Sequence, residues 1–211
     1  MGRLGRACAA DDMTSIPVVD AAVSAASPLV ALMTPETAPL LTRGAFADGQ
    51  PDPITAVLAQ VPELFDVALP FIGATLGPSF VSWRAKEIVI LRTSALLECE
   101  YCVGAHTVVA TDAGLGPDEV RALRAELDWT EVFEAARERA LVGWIDAIAL
   151  GRGPVDPSIA TAMTDHWDDP AVVEITVLIG TTMMLNRLCT GLGLPLGPDT
   201  LERLATDGFS A

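Results

Sequence analysis

From Pro53 onward apolar residues recur at spacings of three and four, Gly and Pro fall mainly between such runs, and no stretch alternates with period two. That periodicity belongs to amphipathic helices. It makes an all-α, multi-helix bundle the expected fold class. The candidate helices are 54–61, 63–75, 83–97, 101–113, 117–127, 131–150, 157–167, 171–192 and 198–206. Their ends carry fitting punctuation: Ser82 and Thr130 stand as N-caps, Gly114 as the residue after a C-terminus, and Pro117, Pro157 and Pro198 in first turns, where a missing N–H costs little. The acids before Pro170 are expected to close one helix and cap the next. Trp83, Trp129 and Trp144 are expected to anchor the core.

Residues 1–52 differ from the rest. Pro17, Pro28, Pro35, Pro39 and Pro51 recur too often for one long helix,. This segment reads as an N-terminal arm with short helices at 18–26 and 39–46, packed on something, a neighbouring subunit being one candidate. Residues 53–211 form the helical domain. With 13 basic against 28 acidic side chains, the formal charge of −15 repels phosphate backbones and anionic lipid, so no nucleic-acid partner is expected. The apolar run 172–185 carries Glu174 and falls short of the roughly 20 residues that span a bilayer, so no membrane partner is expected either. Four scattered cysteines make no disulfide framework. Asp11 and Asp12 interrupt the N-terminus before any leader-like core forms, and a cytoplasmic location is expected.

The chemistry concentrates in Cys99-Glu100-Tyr101-Cys102-Val103-Gly104-Ala105-His106. With a helix starting near Cys99, Cys102 follows about one turn later and His106 shares its face at i+4. Two thiols so placed can close a disulfide with little backbone movement, and a helix N-terminus and an imidazolium both favour the thiolate. Glu87 joins them by counting. The helices on either side of residue 98 are antiparallel neighbours, and at 1.5 Å per residue Glu87 and His106 stand less than one turn out of step. A carboxylate there would orient the imidazole and raise its basicity.

Glu87, then Cys99-x-x-Cys102 and x-x-x-His106, resembles the signature of the alkylhydroperoxidase D-like proteins of the carboxymuconolactone decarboxylase superfamily. The run 83–91 resembles that family's helix before the motif, and Glu174-Ile175-Thr176 through Asn186-Arg187-Leu188 its later helix, so the likeness spans roughly residues 53–195. The resemblance implies an all-helical subunit assembling into trimers or hexamers and acting as a thiol-dependent peroxidase, an alkyl hydroperoxide reductase. In that scheme Cys102 attacks the O–O bond and becomes a sulfenic acid, and Cys99 resolves it to a disulfide. His106 serves the Cys102 thiolate, and Glu87 completes a proton relay. The substrate would be a hydroperoxide and the reductant a dithiol donor, thioredoxin-like or a lipoyl protein, with no cofactor. Some peroxidase members have a second His directly before the second Cys, where this chain has Tyr101.

Other readings of the same residues stand beside this one. Cys99, Cys102, His106 and Glu87 are ligand types that zinc accepts, which would make a zinc-bound structural protein. A decarboxylase-like lactone enzyme or a disulfide reductase would share the fold without peroxidase activity. A c-type haem is excluded, since its His must follow the second Cys directly. Cys189, between Leu188 and Thr190 in an apolar helix, reads as packing, and Cys8 as an incidental thiol. Asn186 and Arg187 interrupt an apolar helix and are expected to bond between helices or subunits.

Overall fold

The computed structural model describes residues 27–211; Cys8 and the expected helix over 18–26 lie outside them. Ten α-helices follow in order: α1 (Pro53–Leu58), α2 (Pro62–Leu76), α3 (Trp83–Leu96), α4 (Glu100–Asp112), α5 (Pro117–Leu123), α6 (Trp129–Val132), α7 (Ala136–Leu150), α8 (Pro157–His166), α9 (Asp169–Leu192) and α10 (Pro198–Asp207). No strand occurs among the described residues. Over 39–46, in place of the expected helix, the chain makes turns and one short 3₁₀ helix, Arg43–Phe46.

Capping chemistry accounts for most of the boundaries. The Ser82 side chain accepts from Ala85 N–H at the start of α3, and Asp168 does the same for Ala171 at the start of α9. Each satisfies one of the N–H groups that a first turn leaves without a partner. Gly114 ends α4 with φ 87, the left-handed conformation that glycine adopts freely. Thr130 is not the cap expected of it. Asp128 caps α6 instead, accepting from Thr130 N–H and from its hydroxyl.

The single helix expected over 131–150 is broken. Phe133 turns extended after α6 and sinks its ring into the core, while the Arg139 side chain donates to the Phe133 and Glu134 carbonyls at the break. Burying that ring outweighs the backbone bonds of a continuous helix. The tryptophans divide in a similar way. Trp129 and Trp144 pack partly buried against the core, as expected, but Trp83 is 54% exposed and the fully enclosed indole belongs to Trp167.

α3 is the central helix, packed against α4, α5, α7 and α9. It is buried almost all round, and its interior charges are each paired. Lys86 Nζ reaches Glu174 at 2.8 Å and the carbonyls of Thr75 and Gly77. Arg92 forms a two-pronged pair with Asp146 at 2.7 and 2.9 Å. Unpaired, such groups would be too costly to bury. α9 extends beyond the apolar run seen in sequence to 24 residues, with the length and composition of a membrane-spanning helix. Ile175, Leu178 and Ile179 are nevertheless fully enclosed among α2, α3, α4, α7 and α8, so it is here a core helix.

The described part of the arm lies on its own chain. Leu29 N–H donates to the Leu192 carbonyl, Met33 N–H to Ala56, and the Gln60 side chain to the Ala31 carbonyl. Val30 and Leu32 cover the cluster of Cys99, Cys102 and Cys189, while Met33, Ala38 and Phe46 pack with α1 and α2.

Candidate active site

The turn between α3 and α4 builds the site. α3 ends at Leu96, with Glu98 N–H donating to the Ala95 carbonyl and Cys99 N–H to Ser94 at 3.1 Å, a crossed pair that closes the helix end,. The closure forces Glu98 to φ 55, a left-handed conformation that costs a non-glycine residue about 1 kcal/mol. Cys99 thereby becomes the N-cap of α4, its sulfur accepting from Cys102 N–H at 3.4 Å. Gly104 keeps α4 slim on its far side, where a Cβ would run into Leu196.

Cys99 Sγ and Cys102 Sγ lie 2.8 Å apart, both buried. A further approach of about 0.8 Å would give the covalent S–S distance of about 2.05 Å. Four residues on, His106 Nδ1 meets Glu87 Oε2 at 2.9 Å. Glu87 is 4% exposed, so this contact between the α3 and α4 faces is shielded from water. The four residues singled out by spacing are thus arranged as two touching pairs, and the register count that joined Glu87 to His106 holds.

Cys102 and His106 line one cavity of about 260 Å³. Its walls are largely apolar, from Ile54, Leu69, Ile72, Leu76, Ile90 and Leu185, with Asp52, Thr55, Ser94, Tyr101 and Asn186 as polar points. Ser94 Oγ donates to Asn186 Oδ1 at 3.2 Å, while the buried Asn186 amide nitrogen has no protein partner. That bond meets the expectation of an inter-helix contact for Asn186. Arg187 is exposed and needs none. Burial, foremost, pushes the Tyr101 hydroxyl up, so it stays a neutral phenol beside the thiols.

Cys189 packs, as expected, in an apolar cluster, the one that holds Cys99 and Cys102. Its sulfur comes from α9, and the sulfurs of Cys99, Cys102 and Cys189 all lie within 4.8 Å of one another. Among the described residues this sulfur trio is the convergent set of metal-ligand types, in place of the Cys99, Cys102, His106 and Glu87 set drawn from sequence. The hydrogen bond with Cys102, then that with Cys189, holds Cys99 down at about 3 against the opposing effect of burial. Bonds to Cys189 and Cys99, together with burial, push Cys102 up. For Cys189 the bond with Cys102 pulls downward, but Cys99 and burial outweigh it and push the thiol up to about 12. The reduced trio therefore carries one thiolate, centred on the helix-capping Cys99.

A depressed folded pKa contributes stability that is complete above the unfolded thiol value of about 8.5 and fades as the pH falls toward 3. Reduced protein is accordingly expected to show one equivalent of thiolate ultraviolet absorbance at pH 6, lost in Cys99→Ser. Absorbance appearing only above pH 8 would contradict this charge assignment.

Residues 62–147 match the family model described as the carboxymuconolactone decarboxylase family. Over that stretch the chain is similar to that family. It is 24% identical over 138 residues to the uncharacterized protein YnjA of Escherichia coli (strain K12), covering 60% of this chain and 74% of that one. In fold the chain resembles the alkylhydroperoxidase AhpD core of an uncharacterized peroxidase-related protein from Ralstonia eutropha JMP134. The TM-score is 0.71 at 17% identity, over 82% of this chain and 94% of that one. It also resembles a variant of the debrominase Bmp8 solved in complex with 2,3,4-tribromopyrrole, with a TM-score of 0.62 at 16% identity, over 86% and 100% of the two chains.

Proposed function

We propose that this protein is a member of the carboxymuconolactone decarboxylase family and a thiol-dependent peroxidase that reduces alkyl hydroperoxides through Cys99 and Cys102. One observation carries the reading: Cys102 and His106 open onto the same cavity, with Cys99 Sγ 2.8 Å from Cys102 Sγ and Glu87 2.9 Å from His106. A proton passing along the sulfur–sulfur contact places the thiolate on Cys102, which attacks the nearer peroxide oxygen. The O–O bond breaks, Cys102 becomes a sulfenic acid, and the departing alkoxide takes a proton from His106, oriented by Glu87. Cys99 then displaces water from the sulfenic acid and the disulfide forms. An external dithiol, thioredoxin-like or a lipoyl protein, resets the pair by thiol exchange. The mainly apolar walls favour an organic hydroperoxide over hydrogen peroxide.

The protein is further proposed to work as a homo-oligomer, a trimer or hexamer. Val67, Phe71, Phe80, Trp83, Val173 and Val177 are large apolar side chains at least 41% exposed in the single chain, the kind of surface that subunit contacts cover.

The likeness to a debrominase favours a second reading, in which the same dithiol reduces a halogenated organic molecule lodged against those apolar walls. The test is consumption of an alkyl hydroperoxide by the reduced, metal-free protein under a dithiol donor, with free thiols counted before and after and the mass in solution measured on the same sample. Turnover with loss of two thiols per chain is expected. Thiols that survive the peroxide without turnover would end the peroxidase reading and move the search to halogenated substrates and to lactones, which need no thiol.

A further inference from the structure

A peroxidase cycle of two thiols leaves Cys189 without a task, yet its sulfur is as buried as theirs and stands among them. The trio faces two cavities. Cys102 lines the one that holds His106. Cys99 and Cys189 line a second, also about 260 Å³, between Glu98, Glu100, Thr190 and Leu194. The sulfur shared by any exchange, Cys99, thus has Cys102 toward one cavity and Cys189 toward the other.

We propose that Cys189 is a third redox thiol, which takes the disulfide over from Cys102 as Cys99–Cys189 and presents it to an external dithiol at the second cavity. In this step Cys189 sulfur attacks Cys99 Sγ. The Cys99–Cys189 bond forms as the Cys99–Cys102 bond breaks, and the electron pair of the broken bond leaves on Cys102, which collects the proton given up by Cys189. One disulfide is consumed and one is made, so no outside oxidant or reductant enters. The sulfurs need to close from within 4.8 Å, a movement of the size that a change of side-chain rotamer gives. Oxidation also removes an obstacle. In the reduced trio the Cys99 thiolate helps to keep Cys189 protonated, and once Cys99 is bonded that charge is gone. The consequence is a division of labour, with substrate oxygen at the His106 cavity and reductant at the Glu98–Leu194 cavity.

The proposal rests on the peroxidase reading only for the first oxidation of the pair by peroxide, so it is tested with the disulfide-forming oxidant diamide as well. Full-length protein and the variants Cys102→Ser and Cys189→Ser are reduced, oxidised by either reagent, denatured in alkylating agent and digested with trypsin. Cys99 and Cys102 share the peptide 93–121, and Cys189 lies on 188–203. Only a bond to Cys189 joins those two peptides. The joined pair is expected from oxidised wild type, and as the one disulfide between them in Cys102→Ser. Cys189→Ser is expected to keep the bond within 93–121 but to be re-reduced by an external dithiol several-fold more slowly than wild type. Cys189 fully alkylated in wild type and in Cys102→Ser, with Cys189→Ser re-reduced at the wild-type rate, overturns the proposal and leaves a two-thiol cycle intact. A joined pair formed by diamide, with thiols untouched by peroxide, upholds the third thiol and removes the peroxidase reading instead.

Discussion

Cys102→Ser is expected to lower peroxide turnover at least roughly a thousandfold, the scale on which loss of a nucleophile acts, while leaving the fold in place. Serine keeps the shape of the Cys102 side chain with a smaller atom at its tip, and the backbone N–H that Cys99 sulfur receives at the start of α4 is unaffected by the exchange. What disappears is the sulfur that lines the His106 cavity. A serine hydroxyl stays protonated at neutral pH and cannot attack an O–O bond at a useful rate. Cys99 does not replace it, because it lines the second cavity, to which His106 does not contribute. Initial rates with an alkyl hydroperoxide, together with a thermal melt within a few degrees of wild type, check both halves of the expectation. Activity retained within tenfold would place the chemistry outside the thiols and favour the reading as a lactone enzyme.

Glu87→Gln carries the second largest effect, a loss of about a hundredfold in turnover, toward the low end of what positioned proton transfer supplies. The amide preserves the volume and can still hydrogen-bond His106 Nδ1, so packing along α3 survives. It brings no negative charge to offset the imidazolium that forms when the relay loads a proton, in a place where 4% exposure leaves little water to help. In the proposed relay Glu87 acts through His106, so the double variant Glu87→Gln/His106→Ala is expected to be no slower than His106→Ala alone, since residues that work as one unit lose their effect together. The pH–rate profile of Glu87→Gln should also be displaced from that of wild type, which a purely structural role would leave unmoved. Losses that multiply in the double variant would show Glu87 and His106 to work independently.

Much of the bundle is legible in the chain because helices advertise themselves locally. The three-and-four periodicity, Ser82 as a cap, Gly114 at a left-handed position and the prolines of first turns each act within a few residues of one another, and the structure agrees with them. The misses have a common cause. The break at Phe133, the exposure of Trp83 and the enclosure of Trp167 depend on which neighbour each ring meets, and periodicity says only that a face is apolar. Asp128 takes the cap expected of Thr130 because two acceptable capping residues stand two positions apart, and local chemistry alone does not choose between them.

The candidate site divides along the same line. Cys99, Cys102 and His106 sit on one stretch of helix, so 3.6 residues per turn already places them on one face, and a short turn with a rise of 1.5 Å per residue brings Glu87 alongside. Those relations follow from the sequence by itself. Cys189 reaches the trio only because α9 crosses the start of α4 and closes its own end by donating Leu194 N–H to the Cys189 carbonyl. No local pattern encodes that crossing. The sequence determined which groups could react, since their spacing obeys the geometry of a single helix. Tertiary packing decided that a third sulfur meets them and that two cavities are lined by the cluster, because the pairing of distant helices depends on how whole surfaces fit.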